Sequence, residues 1–451
     1  MAEGSPQLDR RIGWVAGDAG ARWAFRLAVV LAIPVWIVVG RKQWFIRDDW
    51  AFLLTRPRLH QQFGIGEWLF QPQDGHWMSP PILIYRLTQL MFGLGSYWPY
   101  LVPLLALHLG IVLAVRALCR RAGATEWTTT MVCAVLLVLG SGWENIMFAI
   151  QITYNMSLLA VLVHVLLADH DGPIDRRDVL GVIIGLVGVM SSGFGPFFIA
   201  GICALLLVRR RWKAALLATL PLATAYGWWW IRWGADPAAD RNPGDKLQVP
   251  MWAARAMKAT LHGMTGHIVI AVLATLAMFV ALFGESVSVA GRRLAMVLFG
   301  TCSFMFLGIA TQRVGLGMQL AASSRYVYMG AMLLGPAFAL GIDVARRSQP
   351  ALWTARLLLV GSALVNISWL DNQSTAWAQM AANERMTLEL LTGSPQLTAT
   401  LDPEFRPLPF SPDLRIGDLP TVVAQGAVVP RIPVTDFDRA LLRLALAAPQ
   451  P

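Results

Sequence analysis

The chain contains twelve apolar segments of a composition that suits a lipid bilayer, and this feature constrains its fold more than any other. A membrane-spanning helix needs about 20 mostly apolar residues, and backbone that crosses lipid must satisfy its own hydrogen bonds. Hydrophobic residues make up 56% of the 451 residues and charged residues only 14%, against roughly a quarter in soluble domains. The sequence therefore predicts an all-α polytopic membrane protein. The segments lie near residues 22–40, 80–95, 97–118, 127–142, 150–168, 178–193, 195–208, 214–231, 266–284, 294–312, 325–344 and 352–370.

The basic residues indicate how many of these segments span. There are 37 Lys and Arg against 27 Asp and Glu, and membrane proteins keep basic clusters on the cytoplasmic side. If all twelve segments crossed the membrane, the basic clusters that follow segment 80–95 would lie outside the cell while the N-terminal cluster lay inside. If segment 80–95 lies on the membrane surface instead, all of the clusters become cytoplasmic. We therefore expect about eleven transmembrane helices, a cytoplasmic N-terminus and an outer C-terminus, so the net charge of +10 reports topology and not nucleic-acid binding. The clusters are Arg10/Arg11, Arg116/Arg120/Arg121, Arg176/Arg177, Arg209/Arg210/Arg211/Lys213, Arg292/Arg293 and Arg346/Arg347.

Segment 80–95 has the composition of a helix that lies along the membrane surface. It begins with two prolines and ends in a Gly-x-Gly sequence, and Arg86, Thr88 and Gln89 interrupt its apolar residues. Three regions then lie outside the membrane, and function is expected there. They are a first loop at 41–97, a second loop at 233–262 and a tail at 371–451 that contains predicted helices at 375–391 and 436–446.

The tail is too short to build a large core of its own. We therefore expect one transmembrane domain at 1–370, with 371–451 as a small extracytoplasmic subdomain packed on its outer face. The four cysteines have neither the spacing nor the histidine neighbours of a metal site, and no P-loop, dinucleotide fingerprint or nucleophile elbow is present. We expect no disulfide framework, no structural zinc and no required cofactor.

Two adjacent carboxylates, Asp48 and Asp49, follow the first predicted span, with Arg47 before them and Trp50 after them. Carboxylates at this place can cap a helix or form a solvated turn at the membrane interface. A carboxylate at the edge of a low-dielectric cavity can also act as a general base, because burial and a neighbouring negative charge raise its basicity. The residues alone leave both interpretations open.

The motifs that follow add a family resemblance. Residues 73–81 form a turn with His76 ahead of two prolines, and Tyr85 and Arg86 lie on the surface helix. An acidic pair after the first span, a His-containing turn about thirty residues later, an amphipathic surface helix and a span that ends in a basic cluster resemble the GT-C superfamily of membrane glycosyltransferases. The resemblance covers roughly the first 120 residues.

This resemblance implies a catalytic acidic residue in a first outer loop with juxtamembrane helices, and a sugar donor linked to polyprenyl phosphate. Asp48 would be the base and Asp49 its partner, although the sequence does not say which carboxylate faces the cavity. Cations near the outer membrane surface could bind the donor phosphate, since guanidinium groups offer bidentate donors to a leaving phosphate. The candidates for this role are Arg325 and Tyr326 of a Ser-Arg-Tyr element, Arg313, His76 and Arg86.

Each of these assignments has a simpler alternative. His76 could equally bond a local carbonyl, and Arg86 could extend to lipid headgroups. Candidates for binding the sugar or the acceptor are Trp50, Glu144, Gln151 and Tyr154, although polar residues are also common where a helix enters a membrane. The tryptophans at 228–233 suit first of all the aromatic belt at the interface.

The sequence thus predicts an inverting glycosyltransferase in a bacterial inner membrane, with its active site on the periplasmic face. It would move a sugar from a polyprenyl-phosphate donor to a hydroxyl of a glycan, lipid or protein, with Asp as general base and no obligatory metal. One alternative is a transporter or flippase for lipid-linked saccharide, but the spans carry few charges at mid-bilayer depth and no repeat is visible. Another is a glycan polymerase or ligase of the outer face.

Overall fold

The computed structural model describes residues 17–234, 244–285 and 287–447, and within these ranges the chain forms helices and no strand. Arg10 and Arg11 lie outside the described residues. The helices of the bundle are α1 (Asp18–Gly40), α5 (Trp98–Ala122), α6 (Glu126–Leu137), α7 (Glu144–Met147), α8 (Ile152–Ala168), α9 (Arg176–Val189), α10 (Gly195–Val208), α11 (Trp212–Trp229), α12 (Val249–Thr265), α13 (Ile268–Phe283), α14 (Val289–Arg313), α15 (Ser324–Val344) and α16 (Gln349–Thr392). Those of the first loop and the tail are α2 (Arg56–Phe63), α3 (Ile65–Phe70), α4 (Ser79–Phe92), α17 (Pro395–Thr398), α18 (Leu419–Ala424) and α19 (Asp436–Leu446).

Six helical segments in the described residues are long and apolar enough to cross a membrane, namely α1, α5, α8 with the turn before it (Ala149–Ala168), α14, α15 and α16. A seventh span results if α12 and α13, which are bent by 107° at their junction, count as one. Helices α6 and α10 are apolar but shorter. The protein is therefore an all-α integral membrane protein. A helix occupies each of the eleven predicted spans, and the count of eleven crossings remains a prediction.

The turns that carry basic clusters meet at one end of the bundle. Helices begin there at capping side chains, since Thr125, Asp175 and Ser348 each accept a hydrogen bond from a backbone N–H of the following helix. Ion pairs then link one turn to the next, so these turns share the same side of the membrane. The pairs are Arg116 with Glu126, Arg121 with Asp169, Arg209 with Asp169 and Asp171, and Arg211 with Asp178.

Helix α15 runs through the centre of the bundle. Every residue from 326 to 341 is buried, and glycines let neighbouring helices approach it closely. At Gly341, a Cβ atom would lie 2.8 Å from the backbone nitrogen of Met278 on α13. Helix α15 is therefore fixed along its length, and its first turn, which contains Arg325, is held at the end of the bundle opposite to the basic turns.

Helix α16 is 44 residues long, about 66 Å, whereas a hydrocarbon core is about 30 Å thick. The predicted span at 352–370 and the predicted helix at 375–391 are thus one unbroken helix that continues beyond the bilayer. Its outer half packs Trp377, Ala381 and Leu388 against buried residues of the first loop and the tail. A second hydrophobic core forms there, outside the transmembrane bundle.

Two further helices lie where the sequence suggested surface elements. In α4 one side is buried, including Tyr85, while the other exposes apolar residues such as Leu87 and Leu90, as the predicted surface helix requires. Helix α12 lies in the interval that was expected to be a second loop, and Arg241 of that interval is outside the described residues. Trp252 and other residues of α12 are buried against α14 and α15, so this interval is partly built into the bundle.

Candidate active site

A tight turn presents Asp48 and Asp49 directly above the end of α1. The helix ends at Gly40, and the N–H groups of Asp49 and Trp50 then bond to the carbonyls of Ile46 and Arg47. Arg47 adopts a left-handed conformation with φ 55°. The two carboxylates consequently leave the turn in different environments.

The side chain of Asp49 is fully buried and its oxygens are occupied. Tyr85 donates a hydrogen bond to Oδ1 at 2.7 Å, and Tyr97 and the Ile46 N–H donate to Oδ2 at 3.1 and 3.3 Å. Burial raises the pKa of Asp49 to about 7, against the opposing effect of these hydrogen bonds. Tyr97 also accepts a hydrogen bond from the Ala149 N–H at 2.8 Å. Asp49 therefore ties the turn to α4, to the start of α5 and to the segment before α8.

Asp48 is half-buried, and its carboxylate accepts no hydrogen bond from the residues that the structure describes. Burial raises its pKa to about 6, the charges of Asp74 and Asp413 add to this effect, and Arg325 and Arg47 oppose it. Asp48 is thus ionised at neutral pH and is a stronger base than an ordinary aspartate. Of the predicted pair, it is the carboxylate that remains available for chemistry.

A two-residue turn positions Asp74 and His76. Gln73 and His76 exchange backbone hydrogen bonds of 3.1 and 2.9 Å, while Asp74 and Gly75 have φ values of 51° and 77°. Both central residues are left-handed, as in a type I′ turn, where Asp-Gly is a favoured sequence. The imidazole of His76 lies against Gly193 in the turn between α9 and α10, where a Cβ atom would come within 2.1 Å of Nδ1.

His76 also faces the cationic part of the site. Burial lowers its pKa to about 4, and the charges of Arg313 and Arg325 lower it further. The imidazole is therefore neutral at physiological pH and can donate one hydrogen bond. Its ring centre is 6.3 Å from that of Tyr154 at the start of α8.

Arg325 lies in the first turn of α15, which Glu144 holds in place. One Glu144 oxygen accepts hydrogen bonds from the Ser324 hydroxyl at 2.5 Å and from the Arg325 N–H at 3.3 Å. The Arg325 guanidinium lies over the ring of Tyr326 and bonds weakly to Ser323 at 3.4 Å. It forms no ion pair with any carboxylate within the described ranges, so its charge is available to a ligand.

The tryptophans at 228–233 pack on the first loop. Trp229 stacks on Trp77 with ring centres 5.5 Å apart and an angle of 7°, and its indole N–H bonds to the Phe70 carbonyl at 2.7 Å. Trp233 donates to Glu67 at 3.2 Å. Through these contacts the end of α11 packs against Trp77, the residue next to His76.

The remaining predicted residues lie farther from this centre or deeper in the protein. Trp50 is completely buried between Trp44 and Phe45 in the outer core, with no surface open to a ligand. Gln151 is buried, and its side-chain oxygen has no partner among the residues described. Arg86 bonds to Gln89 on its own helix at 3.0 Å.

The tail supplies residues that the sequence did not point to. The Arg47 N–H donates to the Ser411 hydroxyl at 2.7 Å, and Thr55 donates to Asp413 at 3.1 Å, contacts that join positions more than 350 residues apart. Asp74 could have been found from its Asp-Gly sequence, which is typical of a tight turn. No sequence pattern near Asp413, or near the residues that donate hydrogen bonds to Asp49, predicts that they belong to this site.

This arrangement, an available carboxylate beside unpaired cations at the end of a helical membrane bundle, occurs in a fold of the GT-C type. The solved structures with this fold include ArnT from Cupriavidus metallidurans bound to undecaprenyl phosphate, at 14% sequence identity with a TM-score of 0.53, covering 90% of this chain and 88% of that one. The apo state of the same ArnT matches at 15% identity and a TM-score of 0.53, covering 91% of this chain and 90% of that one. No protein-family model and no curated protein matches the sequence.

Proposed function

We propose that this protein is an inverting membrane glycosyltransferase that moves a sugar from a polyprenyl-phosphate donor to an acceptor hydroxyl. The observation that carries the proposal is that Asp48, a carboxylate with free oxygens and a raised pKa, lies within the electrostatic influence of the Arg325 guanidinium, which forms no ion pair among the described residues. The fold shared with ArnT, whose structure was solved with undecaprenyl phosphate, supports a lipid-linked donor. The active site then lies on the periplasmic side of a bacterial inner membrane.

In this mechanism Asp48 accepts the proton of the acceptor hydroxyl as its oxygen forms a bond to the anomeric carbon. The bond between that carbon and the phosphate oxygen breaks, and its electron pair leaves with the polyprenyl phosphate. Attack on the face opposite to the leaving group inverts the anomeric centre. Asp49 does not act as the base here, because hydrogen bonds occupy both of its oxygens.

The cationic side of the site would stabilise the leaving group. Arg325 and Arg313 can bind the phosphate oxygens as their negative charge grows, and charge-assisted hydrogen bonds of this kind are stronger than neutral ones. Neutral His76 can add one hydrogen bond. A monophosphate leaving group needs less charge compensation than a diphosphate, so we propose that these side chains serve in place of a divalent metal.

The direct test is sugar transfer by the purified full chain in lipid nanodiscs, with synthetic polyprenyl-phosphate sugars as donors. Asp48→Asn should lower the rate about 10²- to 10⁴-fold, the usual contribution of a general base. Donor binding should survive this change, because the substitution leaves Arg313 and Arg325 intact. Transfer by Asp48→Asn at the wild-type rate would refute the mechanism.

The same assay separates the enzyme from a transporter or flippase. A flippase moves the lipid-linked sugar across a bilayer without forming a glycosidic bond, whereas the proposed enzyme releases free polyprenyl phosphate. A polymerase or ligase would instead require a lipid diphosphate donor. Product formation from a monophosphate donor distinguishes all three.

A further inference from the structure

The connection between α8 and α9 brings three potential metal ligands together at the end of the bundle opposite to the candidate active site. One ligand atom from each of His170, Asp175 and Asp178 lies within 4.8 Å of the other two. In the part of the chain that the structure describes, no other group of histidine, cysteine and acidic side chains meets this condition. The start of α9 holds the two carboxylates side by side, because Asp175 caps the helix and Asp178 accepts a hydrogen bond from the Asp175 N–H at 3.0 Å.

The imidazole of His170 has a position that ion pairs alone do not explain. His170 is 9% exposed, and neither of its ring nitrogens has a hydrogen-bond partner among the residues described. Its Nε2 lies 3.4 Å from Oδ2 of Asp178, so the ring points into the cluster, but not with the orientation of a hydrogen bond. Buried polar groups without a partner are costly, and an unseen ion is one of the few explanations for them. Neutral imidazole is a common metal ligand.

The distances within the cluster fit a coordinated ion. Zn²⁺ binds histidine nitrogens and carboxylate oxygens at about 2.0–2.2 Å in tetrahedral geometry, which places its ligand atoms about 3.4 Å apart. His170 Nε2 and Asp178 Oδ2 already have this separation. The remaining pairs have to close by no more than about 1.4 Å to reach it. The side chain of Asp175 is 36% exposed and is free to make this movement.

Arg211 orders the connection without occupying all of the oxygens. Its guanidinium donates to backbone carbonyls of residues 168, 172 and 173 at 3.0 to 3.4 Å, and to Oδ2 of Asp178 at 2.8 Å. Every hydrogen bond that the described residues donate to Asp178 ends on Oδ2, so its Oδ1 is open to an ion. Outer partners of this kind orient the carboxylates that bind metals.

Arg177 is the cation that competes with an ion for Asp175. Its guanidinium donates to both oxygens of Asp175 at 2.8 to 3.3 Å. The two side chains are 47% and 36% exposed, and an exposed ion pair contributes little to stability. An ion can therefore displace the Arg177 guanidinium into solvent.

We propose that His170, Asp175 and Asp178 bind a divalent transition-metal ion, with water completing its coordination. One imidazole and two carboxylates suit Zn²⁺ and similar ions better than Mg²⁺ or Ca²⁺, which prefer oxygen ligands alone. The ion would join the start of α9 to the end of α8 and, through Arg211, to the start of α11. Its role is to stabilise this end of the bundle, and sugar transfer at the opposite end does not involve it.

The test is metal binding by the purified full chain in nanodiscs, without a histidine tag. Titration calorimetry should show one Zn²⁺ site per chain, and Co²⁺ should give the visible absorption of a tetrahedral ion. His170→Asn and Asp175→Ser should each weaken Zn²⁺ binding at least about tenfold, since losing even an outer partner of a ligand costs about 10- to 100-fold. Serine caps a helix as well as aspartate does, so Asp175→Ser preserves the start of α9.

Two control variants separate a metal site from an ion-pair network and from binding at the surface. Arg177→Gln removes the competing cation and should bind Zn²⁺ at least as tightly as the wild type. His60→Asn, which changes an exposed histidine of α2, should bind as the wild type does. Zn²⁺ should also raise the midpoint of thermal unfolding of the wild type and of both controls, but not of the two ligand variants.

The results decide the inference without any measurement of sugar transfer. Absence of saturable Zn²⁺ binding by the wild type would overturn it, as would wild-type affinity in His170→Asn or in Asp175→Ser. If one of these variants does not fold, the other decides. Binding of Mg²⁺ or Ca²⁺ in preference to Zn²⁺ would refute the proposed class of metal.

Discussion

The pH dependence of catalysis tests the assignment of Asp48 most directly. Its pKa is about 6 in the folded protein, so Asp48 is about 90% ionised at pH 7 and about 10% ionised at pH 5. Only the ionised form can accept a proton. We therefore expect kcat/KM, which reports the pKa of the free enzyme, to fall about tenfold between pH 7 and pH 5 with a midpoint near pH 6, whereas an ordinary aspartate would stay ionised over this range.

The charge of Asp74 provides a way to move this midpoint. Asp74→Asn removes a negative charge that raises the pKa of Asp48, so the midpoint should shift to lower pH. It should stay above the ordinary value of 3.8, because burial is the larger cause and remains. At pH 5 a larger fraction of Asp48 is then ionised, and the ratio of kcat/KM at pH 5 to kcat/KM at pH 7 should rise.

The assay is the initial rate of transfer with donor and acceptor well below their KM values, which gives kcat/KM at each pH. Asp171→Asn, an 85% exposed carboxylate at the opposite end of the bundle, should leave the profile unchanged. A wild-type kcat/KM that is flat from pH 5 to pH 7, or a midpoint that does not move in Asp74→Asn, would show that Asp48 is not the titrating base.

Two further predictions concern the residues that position the site. Tyr85→Phe removes the 2.7 Å hydrogen bond to buried Asp49 and should lower the free energy of unfolding, measured by denaturation in detergent, by about 1.5–3 kcal/mol. Tyr226→Phe changes a tyrosine outside this network and should have a much smaller effect. Gly193→Ala places a Cβ atom 2.1 Å from Nδ1 of His76 and should displace that ring. We expect kcat/KM to fall more than tenfold, with an overpacking cost of about 1–3 kcal/mol in the free energy of unfolding. Gly227→Ala, where nothing lies within 4 Å, is the control, and equal activity of the two variants would contradict a role for His76.

The parts of this protein that could be predicted from sequence are those set by local composition. Apolar length located the helices at the predicted spans, and the prolines and polar residues of 80–95 located the surface helix α4. The acidic pair was found because Asp48 and Asp49 directly follow the first span. The fold shared with ArnT confirms the fold that the GT-C resemblance of those motifs implied.

Other features depend on contacts between distant residues and leave no local trace. Asp48 and Asp49 are neighbours with the same side chain, but Asp49 alone is fully buried and accepts hydrogen bonds from Tyr85, Tyr97 and the Ile46 N–H. Asp413 joins the site through the Thr55 hydroxyl, 358 residues away. Helix α12 was not predicted because charged residues are interspersed in its sequence with the apolar residues of the one face that packs on the bundle.

The long helix α16 makes the turn that carries Asp48 depend on a part of the chain that is synthesised long after it. Glu384 near its outer end holds Ser411, which in turn binds the backbone of Arg47 beside Asp48. The ribosome makes Arg47 early and Ser411 364 residues later, while helices of the bundle enter the membrane in between. A nascent chain whose bundle helices are already in the membrane therefore still lacks the Ser411 contact, so the turn that carries Asp48 cannot complete its hydrogen bonds until synthesis has passed Ser411.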